Sequence, residues 1–206
     1  MSRRLRASAL GLLAGIGLSL AGCSQSPLSP VESGLNGGAG GSSTPPPIVT
    51  FASNGTVDYV WAPVGAAVDA SASVSLASTL PRSVSSSQRI DGSRGGTLRA
   101  GRFTVKIPAG AFSGPATVTV SMADSTVMIC DLTIAPGSAN KFQVPAQLTA
   151  DLSAPNITDA TNFTMYWYDP AGKVWVNLFA KSTISGTNVT SSLEHFSTYA
   201  AGKAGW

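Results

Sequence analysis

Histidine occurs once and cysteine twice in 206 residues, too few for a disulfide framework or for most metal sites. Charge is scarce as well. Asp, Glu, Lys and Arg make up 11% of the chain, against roughly 25% in an average soluble protein. The formal net charge of +3 comes from Arg3, Arg4 and Arg6, and the remainder is balanced. Nucleic-acid binding needs clustered Lys and Arg to release counterions, so no nucleic-acid partner is expected. A Gly-x-Ser-x-Gly elbow and a paired-carboxylate motif are both missing, so hydrolysis of an external substrate is not expected. Neither a cofactor nor a metal ion is expected.

What the chain does have begins at its start. Met1-Ser2-Arg3-Arg4-Leu5-Arg6 is a basic segment, and Ala7 to Ala21 is an uncharged, largely apolar run of 15 residues. That is short of the roughly 20 residues a membrane-spanning helix needs, but suits the core of a signal peptide. Leu20-Ala21-Gly22-Cys23 closes it. The order resembles the lipobox signal of bacterial lipoproteins, which implies cleavage after residue 22 and acylation of Cys23. The partner would then be a membrane, held through N-terminal acyl chains. Two or more chains anchor stably, because each buried CH₂ contributes about 0.8 kcal/mol. The resemblance implies the cell envelope, and Ser24 after the cysteine favours the outer membrane in an organism with two. The Arg3-Arg4 pair leaves general and twin-arginine export both open.

From Ser24 to Pro47, 16 of 24 residues are Ser, Gly or Pro. Such a stretch buries too little apolar surface to offset chain entropy, so residues 23–47 are expected to be a disordered tether. As a flexible coil it spans about 27 Å. Residues 48–82 are ambiguous. Ile48–Phe51 and Val57–Trp61 flank Asn54-Gly55, a two-residue hairpin signal. An isolated hairpin is marginal in water and needs something to dock on. Phe51, Tyr59 and Trp61 are candidate docking aromatics, and the Ala/Ser run from Ala66 to Ser78 has no clean period.

Beyond residue 83 the pattern is one of short strands. Phe103, Val105 and Ile107 alternate with Thr104 and Lys106, and Val118, Val120 and Met122 alternate with Thr and Ser. Val127–Ile134, Gln147–Leu152, Phe163–Tyr168, Val174–Leu178, Thr187–Ser191 and His195–Ala200 continue the series, with Pro136-Gly137, Asp169–Gly172 and Ser185-Gly186 as turns. No helical stripe appears. An all-β antiparallel sandwich over 83–206 is expected.

Gly95-Gly96-Thr97-Leu98 followed by Arg102–Ile107 and Pro108-Ala109-Gly110-Ala111-Phe112 resembles the signature of the ZU-five domain of zonula occludens proteins, Unc-five receptors and ankyrins. The resemblance covers roughly 84–202. It implies a β-sandwich serving as an interaction or spacer module, with an unknown protein or glycan as partner and no enzymatic activity. Its glycines are expected at positive φ at the strand opening and after the Pro corner.

His195-Phe196-Ser197 also fits relatives in which the chain cleaves itself between Phe and Ser. Ser197 would attack the Phe196 carbonyl while His195 assists proton transfer. On a strand, His195 and Ser197 would share one face. The alternative is a closing strand with Phe196 in the core. The Trp167/Trp175 hairpin offers a different site. An even loop over Asp169–Lys173 would put Tyr166, Tyr168 and Trp175 on one face, where exposed rings could stack on sugars. If both faces were covered, the three would simply be packed. Cys130 reads as a buried free thiol.

Overall fold

The computed structural model describes residues 44–63 and 83–206. Thirteen strands make two antiparallel sheets, and the rest is turns and two single 3₁₀ turns at 137–139 and 179–181. The first sheet runs β10 (Val174–Asn177), β9 (Phe163–Asp169), β13 (Thr198–Lys203), β7 (Ile129–Ala135), β6 (Pro115–Met122), β3 (Val84–Asp91). The second runs β11 (Ser182–Ser185), β12 (Asn188–Leu193), β8 (Ala146–Asp151), β5 (Phe103–Ile107), β4 (Gly96–Ala100). This is the all-β antiparallel sandwich expected from the alternation.

Alternation decides which side of each strand is dry. In the second sheet Leu98, Phe103, Val105, Leu148, Ala150, Val189 and Leu193 are buried, whereas Thr97, Lys106, Gln147 and Ser192 between them are exposed. Cross-strand pairs such as Val105↔Leu148 and Leu98↔Val105 keep the apolar set on one face. Val118, Val120, Leu132, Met165 and Tyr199 form the matching face of the first sheet. Each fully buried large aliphatic side chain contributes roughly 1.5–3 kcal/mol, and these two faces form one continuous core. Gly95 (φ 71°) and Gly110 (φ 83°) take the positive φ expected of them. A Cβ on Gly95 would also stand 2.2 Å from the Ile107 carbonyl oxygen, so no other residue fits.

Residues 47–61 form the hairpin that Ile48–Phe51 and Val57–Trp61 signal within the ambiguous segment. β1 (Pro47–Phe51) and β2 (Val57–Trp61) form a hairpin, with Pro47, assigned to the tether, as its first residue. The turn is longer than the two residues expected. Ala52–Thr56 close it, with Asn54 Oδ1 accepting from the Thr56 N–H and hydroxyl. The hairpin is part of the first sheet. Ile48 pairs with Gly202 of β13, and Val49 accepts from the Met128 N–H. Here β1 takes over the edge of β13 that β7 leaves. Gly202 makes room, since a Cβ there would lie 2.5 Å from the Pro47 oxygen. On the other side the Asn156 amide grips Val57, accepting from its N–H at 2.8 Å and donating to its carbonyl at 3.0 Å. Phe51 is buried with the Arg102 guanidinium 3.8 Å over its ring.

Candidate functional site

The His195-Phe196-Ser197 triplet lies before β13, which begins at Thr198. The strand expected over 195–200 is shorter because here the chain leaves β12 in the second sheet and crosses to the first. Period-two geometry therefore does not govern His195 and Ser197. Contacts around the triplet are both polar and aromatic, and most come from distant parts of the chain. Asn140 Nδ2 donates to the Phe196 carbonyl at 2.9 Å, and Asn140 Oδ1 accepts the Phe196 N–H at 2.6 Å. The Phe196 ring is buried edge-on against Phe142, 4.7 Å between centroids. His195 sits edge-on to Trp167 at 5.0 Å, and its carbonyl accepts from the Tyr199 hydroxyl at 2.7 Å. The Ser197 hydroxyl points to the Tyr168 carbonyl at a long 3.4 Å, and its own carbonyl accepts from the Leu132 N–H. A surface cavity of about 410 Å³ opens beside Asp131, Gly137, Asn140, Phe196 and Ser197.

Burial sets the titration of the groups around this crossing. It pushes the Tyr199 hydroxyl well up, helped by Cys130 and Glu194. It also raises the Cys130 thiol, with Asp131 adding to the effect. Cys130 is a buried free thiol. Glu194 is held low by its hydrogen bond from Lys181 at 2.8 Å.

The aromatic trio corrects an expectation. The hairpin register is the even one foreseen, with Trp175 opposite Tyr168 and Val176 opposite Trp167, and Tyr166, Tyr168 and Trp175 do share a face. That face is covered. All three are 2–5% exposed, so none can stack on a sugar. The Trp175 indole N–H donates to the Pro63 carbonyl at 3.2 Å, and its ring meets Tyr168 at 5.3 Å. The Tyr166 hydroxyl donates to the Lys203 carbonyl at 2.6 Å, and burial pushes it up to about 12. Just past β2 the chain reaches this face at Pro63, which the sequence of β9 and β10 does not show.

Reading the sequence missed Asn140, whose signal is only an Asn just after the Pro136-Gly137 turn. Trp206 was also missed. It packs on Trp61, with Tyr59 two residues away on β2, so these three, with Phe179 elsewhere, are exposed aromatics and the trio is not. Cys23, the expected lipid acceptor, lies outside the described residues, as does the signal segment. Among the described residues no His, Cys, Asp and Glu group is placed to hold a metal ion, and no helix is long and apolar enough to cross a membrane. A scan against protein-family models gives no match, and a search of curated proteins finds no similar sequence.

Proposed function

We propose that this is a lipid-anchored cell-envelope protein whose ZU-five-like β-sandwich is a non-enzymatic interaction or structural module. Its partner would be an envelope protein or glycan. The observation that carries the reading is Leu20-Ala21-Gly22-Cys23 at the end of an uncharged run behind three arginines, followed by a Ser/Gly/Pro-rich stretch. The head suits such a role, because the chain arriving from that stretch is sewn into the first sheet through β1. Lipid, leash and head then form one mechanical line. Labelled palmitate should enter the wild-type chain and not Cys23→Ala, and equal label in both would refute the anchor. In an organism with two membranes, the labelled protein should fractionate with the outer one.

A second reading, self-cleavage between Phe196 and Ser197, has one observation in its favour. The Asn140 amide donates to the very carbonyl that Ser197 Oγ would attack, where negative charge would develop. In that chemistry the Oγ–C bond forms as the Phe196–Ser197 C–N bond breaks. The Ser197 hydroxyl proton passes, with help from His195, to the leaving nitrogen, which becomes the Ser197 amine, and water then hydrolyses the ester to leave a Phe196 carboxylate. Intact-mass measurement decides it: a fragment beginning at Ser197 establishes cleavage, and a single uncut mass eliminates it.

A further inference from the structure

Of the four tryptophans, two are built into the head. Trp175 is buried and hydrogen-bonded, and Trp167 is half-buried against His195. The other two are not. Trp61 is 60% and Trp206 45% exposed, yet they meet each other at 4.8 Å with planes 55° apart. Tyr59, 42% exposed, lies two residues from Trp61 on the same side of β2 and stacks at 6.4 Å on Phe163. β2 pairs only with β1, so its far edge is open among the described residues. Three large amphipathic rings thus stand together at one rim. Exposed charged residues on the adjoining strands include Asp58 on β2 and Lys203 at the end of β13.

The path of the chain says what this rim faces. Pro47 is the register partner of Trp61, and the Ala62 N–H donates to the Pro46 carbonyl at 2.9 Å. The segment leading back to Cys23 therefore leaves the head beside the tryptophan pair. We infer that Trp61, Trp206 and Tyr59 seat the head on the lipid bilayer at headgroup depth. This rests on the lipid-anchor reading. Trp and Tyr favour that depth because one end of each ring system is apolar and the other donates a hydrogen bond. The tether expected between Cys23 and Pro46 would hold the rim near the bilayer at high effective concentration, so a weak patch suffices. Aromatic insertion drives the contact.

The test uses the full lipidated protein in phosphatidylethanolamine/phosphatidylglycerol vesicles carrying a nitroxide at headgroup depth. Tryptophan emission is read before and after the quencher is added. Wild type should float with the vesicles, shift to the blue and be quenched. Trp61→Ser/Trp206→Ser should still float through its acyl chains but lose most of the quenching, with Trp167 and Trp175 reporting a folded head. Floating wild type quenched no more than the double variant overturns the inference and leaves the anchor standing. Wild type that does not float removes the anchor and this inference together. Sedimentation showing a dimer that the double variant lacks assigns the rim to a second copy. Loss of peptidoglycan binding in the double variant assigns it to a polysaccharide. Either result, without quenching, overturns the bilayer assignment.

Discussion

Asn140 holds both main-chain polar groups of Phe196, donating to its carbonyl and accepting its N–H. It does at the crossing between sheets what a neighbouring strand does within one. Leaving the second sheet strips Phe196 of ladder partners, and a buried main-chain group without a partner is costly.

Asn140→Ala should therefore lower stability by about 2–3 kcal/mol, two hydrogen bonds being lost at a partly buried site. Urea denaturation measures it. A loss no larger than at an exposed residue would show that water replaces the amide freely.

Gly202→Val should free the β1–β2 hairpin while leaving the sandwich folded. The added Cβ would meet the Pro47 oxygen at 2.5 Å, backbone that has no side-chain freedom to give. Limited proteolysis should cut within residues 52–56 of the variant and not of wild type.

The tyrosine hydroxyls of β9 should respond in opposite ways. Tyr166→Phe forfeits the bond to the Lys203 carbonyl and should cost about 1 kcal/mol. The Tyr168 hydroxyl is buried with no hydrogen-bond partner among the described residues, so Tyr168→Phe should be neutral or stabilising. Thermal melts of the two variants side by side decide it.

Alkali should weaken the fold. An unfolded tyrosine loses its proton near 10.0, whereas Tyr166 in the head holds it to about 12, and Tyr199 and Cys130 shift the same way. Between those limits the native state binds more protons than the unfolded one, so stability falls as pH rises. It is fully present only below about pH 9, where an unfolded Cys130 thiol starts to lose its proton. Tyr166→Phe should flatten the decline, and equal slopes for both proteins would count against it.

The sequence by itself determined most of the strands and their sides, but did not mark β3 or β11. Alternation in Phe103–Ile107 and Pro115–Met122 marks buried positions because side chains on a pleated strand point alternately to opposite faces. It also carried the Trp175–Tyr168 register, since an even loop returns the chain with that parity. Only the tertiary structure decided which faces are wet. Periodicity states which rings lie together. What covers them comes from far along the chain, as when Pro63 reaches Trp175 across 112 residues. The same holds at 195–197, where local alternation reads as strand but the two sheets have to be joined. Burial is a sum over long-range neighbours, and no window of sequence contains them.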